Sequence, residues 1–276
     1  MVKMRYMGAI ILAIVATSIW NVSNNQDEGV HDTTSAQVAQ DDLRRDLVEP
    51  KYIENNPPEQ ILRRFAYTTS YNEKTKNPNW VGWILTADHT DGEYARKGHS
   101  FMEDLEVPFP RSVYTDIREG DCGYQRGHMC PAGDNKWSYR AQNEAFFMTN
   151  ICPQDGDLNQ RDWKYLEEAC REWARVYGRV FIVAGPIFRT NAYKTVGEHC
   201  VGVPDAFFKV ILRLSDDHTT GEAIGFIYAN SSGHREMECY SCSVDEVEEI
   251  TGLDFFYQLD NEIENRIEAN YDCKNW

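Results

Sequence analysis

Positive charge is in short supply in this chain of 276 residues: 28 Lys and Arg stand against 44 Asp and Glu, a formal net charge of −16. That excludes capture of a polyanion by overall charge, because long-range steering follows the sign of the whole field. The deficit is uneven. From Glu236 to the C-terminus acidic residues far outnumber the basic pair Arg266 and Lys274, whereas from Arg118 to Arg189 the two signs nearly balance. A solvated acidic face accounts for the tail equally well. A long hydrophobic run is missing too. The apolar stretch Met7 to Trp20, behind Lys3 and Arg5, is short for a spanning helix, and residues 1–20 read as a secretory signal or an uncleaved membrane anchor. No small-x-small cleavage site stands out. The close pair Cys239-x-x-Cys242 has no second pair to complete it, which argues against structural zinc. No internal repeat and no low-complexity block interrupts the body of the chain.

The material for a core is present. Hydrophobic residues make up 42% and aromatics 12% of the chain, enough for a sizeable interior. Residues 21–56, rich in Asn, Asp, Gln and Ser, read as a polar linker that ends near Pro57-Pro58, leaving 57–276 as one folded domain. Phe65–Tyr71 and Trp80–Thr86 alternate as strands joined through Asn72–Asn79. Arg179–Ala184, Phe207–Leu214 and Ala223–Tyr228, the last following a Thr220-Gly221 turn, carry the β-branched and aromatic residues of a central sheet. From Arg161 to Tyr177, Trp163, Leu166, Cys170, Trp173 and Tyr177 recur at alternating three- and four-residue steps, the stripe of a half-buried helix stopped by Gly178. Further helices are expected over Val244–Thr251, with Ser243 as N-cap, and from Asn261 to about Asn270. The fold class that follows is α+β: a single domain with a mixed, mainly antiparallel sheet and packed helices. Eight cysteines form an even set that suits an exported chain with disulfides. The expected location is therefore periplasmic, cell-surface or extracellular, with any membrane contact made through the N-terminal anchor.

Chemistry concentrates in two blocks. The first runs Gln125, Arg126, Gly127, His128, Met129, Cys130, Pro131, Ala132, Gly133, Asp134; the second runs Thr149 to Gln154, then Leu158, Asn159, Gln160, Trp163, Leu166, Glu167 and Arg171. His128 is the candidate general base, since a neutral imidazole takes a proton near physiological pH, and Gly127 lets the backbone come close beside it. His31 lies in the linker, and His89, His99, His199, His218 and His234 lack such neighbours. On a straight helix Glu167 would stand about 12 Å along from Asn159, and Arg171 would share its face. An ordinary surface Glu–Arg pair is the alternative.

Together the blocks resemble the DNA/RNA non-specific endonucleases, a ββα-metal nuclease family with an Asp-Arg-Gly-His signature followed by Leu-Asn-Gln and a Trp-x-x-Leu-Glu helix. The resemblance covers roughly residues 60 to 265. It implies a ββα-metal active-site motif and a Mg²⁺ ion, or Mn²⁺ in its place, with Asn159 as its one direct protein ligand and Glu167 holding the ion's water. It also implies phosphate-facing roles for Arg96, Arg126 and Arg171, with His128 activating water. The substrates implied are DNA and RNA, gripped by their phosphate backbone and cut to 5′-phosphate and 3′-hydroxyl ends. One departure stands out: Gln125 occupies the place where the pattern commonly has Asp, which puts the tuning of catalysis in doubt. The rival expectation is a catalytically inactive exported homologue that binds nucleic acid or a protein. Cys152, just before the second block, and Cys170, on the buried helix stripe, are candidates for a disulfide bracing Asn159, with free buried thiols as the alternative.

Overall fold

The computed structural model describes residues 44–54, 56–215 and 219–276. The expected signal or anchor at 1–20 and most of the linker lie outside the described residues. Among those described, no helix is long and apolar enough to cross a membrane.

A seven-stranded sheet organises the molecule. Its strands are β1 (Gln60–Arg63), β2 (Thr68–Asn72), β3 (Asn77–Thr86), β6 (Arg179–Ile187), β7 (Ala206–Leu214), β8 (Gly221–Ala229) and β9 (Ser241–Cys242). They lie in the order β9-β8-β7-β6-β3-β2-β1, each pairing antiparallel. Two further strands, β4 (Gln125–His128) and β5 (Ile151–Gln154), form a separate antiparallel ladder. Helices cover both faces. On one, α2 (Asp162–Tyr177) presses Trp163, Leu166, Cys170 and Trp173 against Trp83, Ile182, Phe207 and Ile211. On the other, α3 (Val244–Thr251) and α4 (Asn261–Glu268) bring Val244, Val247 and Ile267 onto Phe208, Val210 and Leu212. Successive residues of β7 thus feed opposite cores, as the two-residue period of a strand requires, and a sheet buried on both sides reads as a nearly continuous apolar run.

Local signals account for most boundaries. Ser243 Oγ accepts from Glu246 N at 3.2 Å while Ser243 N donates to the Glu246 carboxylate at 2.9 Å, a reciprocal cap that starts α3. Gly252, at φ 70°, takes the left-handed position that ends it. The expected strand Phe65–Tyr71 divides: Arg64 N donates to Tyr67 O at 2.8 Å, so 64–67 is a turn between β1 and β2. Tyr177, expected on the buried stripe, is 37% exposed and donates its hydroxyl to Asn275 O.

Two expectations are corrected. The body begins ahead of residue 57: Leu47 and Val48 are buried in the core, and Lys51–Tyr52 pairs antiparallel with Leu253–Asp254. All eight cysteines are free thiols. Cys152 and Cys170 do share the apolar cluster under α2, but as separate buried thiols, and burial pushes the Cys170 thiol up to about 12.

Packing of the early segment gives a direct check. A Cβ added at Gly82 of β3 would sit 1.8 Å from the Val48 carbonyl oxygen, a clash with backbone that no side-chain rotation relieves. Gly82→Ala should therefore cost roughly 1–3 kcal/mol or more in urea unfolding. A change below about 0.5 kcal/mol would show that residues 45–48 do not pack there.

Candidate active site

The ladder pairs Gln125 with Gln154, Arg126 with Pro153, Gly127 with Cys152 and His128 with Ile151. A short helix, α1 (Gly156–Gln160), follows β5 and completes a β-β-α unit. Asp155 caps this helix, accepting from Asp157 N at 3.0 Å and Leu158 N at 3.2 Å. The turn is fastened to the main sheet by Asn230, whose Oδ1 accepts from Asp155 N at 2.7 Å and whose Nδ2 donates to Pro153 O and Pro204 O. Gly127 is obligatory where the strands meet, because a Cβ there would lie 2.1 Å from Gln154 Oε1.

His128 ends β4 and is 7% exposed. Its ring lies 5.3 Å from that of Phe101 and 5.2 Å from that of Phe146, the latter nearly perpendicular at 88°. Its carbonyl accepts from Trp163 Nε1 at 3.1 Å. The ring Nε2 is buried and has no hydrogen-bond partner among the described residues. Burial, reinforced by the guanidinium groups of Arg96 and Arg126, lowers the imidazole to about 3, so it is neutral at physiological pH and able to accept a proton.

Arg96 and Arg126 share the aromatic shelf. The Arg126 guanidinium stands 4.5 Å over Phe101 and donates to Tyr114 O at 2.9 Å. Arg96 stands 6.0 Å over Phe101 and 5.8 Å over Phe146. Burial and then the positive fields of Arg118 and Arg96 lower the Arg126 pKa. Such crowding of cations favours an anion between them.

Asn159, half-buried on α1, donates from Nδ2 to Gln125 Oε1 at 2.8 Å. With its amide nitrogen so engaged, the carbonyl Oδ1 is the atom the side chain has for a cation. One neutral oxygen suits a magnesium-class ion, which dehydrates reluctantly and takes few protein ligands. The residues present therefore fit such an ion.

Beyond Asn159 the straight-helix expectation fails. Arg161, at φ −120° and ψ −92°, breaks the chain between α1 and α2, so Glu167 and Arg171 belong to a separate helix. Arg171 Nη1 reaches Asp134 Oδ1 at 2.8 Å rather than Glu167. The other Asp134 oxygen accepts from Trp83 Nε1 at 3.1 Å. Glu167 is half-buried and pushed up to about 7, by burial first and by Asp134, with Lys209 opposing. Lys209 of β7 is itself fully buried, its Nζ 4.3 Å from the Trp163 ring and 5.6 Å from that of Trp83, with no hydrogen-bond partner among the described residues.

The structure thus gathers His128, Arg96, Arg126 and Asn159 around β4, and sets Arg171 and Glu167 behind the loop that follows it. Phe101, Phe146, Arg118, Lys209 and Asn230 were not singled out by the sequence. Apart from the Arg126 neighbourhood of charge, nothing in their spacing marks them, because distant segments bring them to the ladder. His199 and His234 lie elsewhere, paired with Asp116 and Asp162.

The family model described as DNA/RNA non-specific endonuclease matches residues 49–262. Mouse "Nuclease EXOG, mitochondrial" is 34% identical over 227 residues, covering 77% of this chain and 61% of that protein; the chain thus spans about three-fifths of that relative's length. The yeast "Mitochondrial nuclease" is 30% identical over 229 residues, 76% of this chain and 69% of that protein. The crystal structure of the EndoG/EndoGI complex superposes with a TM-score of 0.69 at 28% identity, covering 75% of this chain and 89% of that one. These relatives correct the expectation of export, since EXOG and the yeast nuclease are named as mitochondrial proteins. The free thiols agree with that correction.

The buried imidazole sets a pH signature. Its folded pKa of about 3 lies below the ordinary 6.5, so as pH falls the unfolded chain takes up this proton first. The contribution to stability is complete above about pH 7 and is lost between pH 6.5 and 3. Glu167 acts in the opposite sense, but cancels in a comparison with His128→Asn. Relative to that variant, the wild type should lose about 2 kcal/mol between pH 7 and pH 5. Parallel stability curves from chemical denaturation would rule out a buried neutral His128.

Proposed function

The chain belongs to the DNA/RNA non-specific endonuclease family, and we propose that it hydrolyses phosphodiester bonds of DNA and RNA with little sequence or sugar preference. The observation that carries this reading is the meeting of an unpartnered, buried imidazole nitrogen with two guanidinium groups on one aromatic shelf. Arg96 and Arg126 grip the phosphate by charge-assisted hydrogen bonds, and their contacts with the backbone carry no sequence information. The His128 imidazole accepts the proton of the attacking water. A base lowered to about 3 is weak in the free protein. Burial is the main cause, and phosphate binding offsets the two positive fields that add to it, so the imidazole gains basicity when substrate arrives.

Asn159 Oδ1 would hold a Mg²⁺ ion, with Mn²⁺ as a substitute. Such an ion supplies Lewis-acid stabilisation of charge on the phosphoryl and leaving oxygens. Gln125 orients that ligand by accepting a hydrogen bond from Asn159 Nδ2. An acceptor oxygen is all this task needs, so the amide in place of the family's Asp favours an active enzyme over an inactive binding homologue. Arg171 holds the loop after His128 through Asp134 and acts as a positioning residue. Glu167 brings a carboxylate whose charge is lost as pH falls below about 7.

Water attack needs no 2′-hydroxyl. DNA, RNA and 2′-O-methyl RNA should all be cut, the first two within about two orders of magnitude, since phosphate contacts supply most of the affinity. The products should carry 5′-phosphate and 3′-hydroxyl ends, and EDTA should stop the reaction. Cleavage of RNA alone with cyclic-phosphate ends would refute the mechanism. Asn159→Ala should move the Mg²⁺ titration midpoint to higher concentration as well as lowering the rate, and His128→Ala should abolish cleavage with DNA binding retained. An unchanged midpoint would remove Asn159 from the metal site.

A further inference from the structure

On the face of the sheet opposite the β-β-α unit, α3 and α4 bring together carboxylates that the reaction does not use. Ligand oxygens of Asp245, Glu248 and Glu268 lie within 4.8 Å of one another. Glu268 is the last residue of α4 and only 5% exposed, and its buried Oε1 has no hydrogen-bond partner among the described residues. Every local influence opposes an anion there. Burial strips its solvation, the C-terminal end of a helix carries partial negative charge, and Glu248, Glu264, Asp245 and Asp254 add like charge. Lys51 answers Asp254 at 3.1 Å, and Glu248 accepts from Phe255 N at 2.7 Å, but no basic side chain pairs with Glu268 among the described residues.

We propose that Asp245, Glu248 and Glu268 form a calcium-class cation site that clamps α3 to α4. Ca²⁺ takes oxygen ligands at about 2.3–2.6 Å, so oxygens round one ion lie up to about 4.6–5.2 Å apart, and separations of no more than 4.8 Å let all three carboxylates reach the same ion. Asp245 is exposed and Glu268 buried, which leaves an open side for the waters that complete a calcium shell. The buried, unpartnered oxygen distinguishes this cluster from the solvated acidic surface around it. Carboxylates bind a cation in their charged form, so cation binding displaces protons and should strengthen as pH rises.

The test is thermal unfolding of the full chain at pH 8, in EDTA and in millimolar Ca²⁺, with Asn159→Ala as background so that ions at the active site do not contribute. A Ca²⁺-dependent rise in Tm of several degrees is expected. It should vanish in Glu268→Gln, and Tb³⁺ luminescence titrations should show at least tenfold weaker binding in Asp245→Asn. In EDTA, Glu268→Gln should be no less stable than its parent, because the amide is neutral and needs no proton or cation to balance it; this separates a lost ligand from a damaged fold. An absent Ca²⁺ effect, or one of the same size in Glu268→Gln, would overturn the proposal and leave a carboxyl cluster neutralised by protons alone.

Discussion

A single hydrogen bond from an indole fixes where the chemistry stands. Trp163 is fully buried on α2, wedged against Phe207 at 5.7 Å and Tyr228 at 6.0 Å in the main sheet. Leaving a buried indole N–H without an acceptor is costly, and the carbonyl of His128, where the small ladder ends, needs a donor. Each requirement is met by the other, at 3.1 Å. The two-stranded ladder would be too small to hold a unique geometry alone. Tied to Trp163 on one side and, through Asn230, to the end of β8 on the other, it inherits the rigidity of the seven-stranded sheet. Trp83 repeats the device one step further along the loop, donating to Asp134.

Between these two indoles lies Lys209, a basic side chain inside the core. Ring faces, with Asp134 and Glu167 in electrostatic reach, offset part of its desolvation. Buried charges of this sort add little to net stability, since the cost of removing them from water consumes most of the attraction. Their effect is geometric. Asp134 has one oxygen committed to Arg171 and the other to Trp83, so the loop from Met129 to Asn135 has few other ways to settle. Truncating one member would leave the rest unpaired, which is far costlier than the pair is worth.

How much of this could be read from the sequence depended on how local the determinants were. The helix α2 differs from its expected start by one residue, and α3 begins and ends where Ser243 and Gly252 place it, because caps and periodicity act within a few positions. His128 and Asn159 stand in compact motifs, and the structure brings both to the small ladder. Edge strand β1 was not, since Gln60, Ile61, Leu62 and Arg63 offer no clear alternation and take their conformation from β2. Residues 45–52 looked like linker because their partners, Gly82 and Leu253–Asp254, are remote in sequence. The break at Arg161 hides inside an unbroken helical pattern. A strand lysine reads as solvent-facing, so Lys209 went unnoticed. The even cysteine count suggested disulfides only through an assumed compartment, and that assumption failed with the export reading.

The excess of negative charge and the handling of a polyanion are compatible because electrostatics in salt is local. At about 0.1 M ionic strength the screening length is about 10 Å, so a phosphate between Arg96 and Arg126 responds to those groups and to Arg118 rather than to the total of −16. The acidic residues of α3 and α4 lie across the full thickness of the sheet, packed on its other face. Positive charge beside the small ladder can therefore meet a phosphate locally although the chain as a whole is acidic.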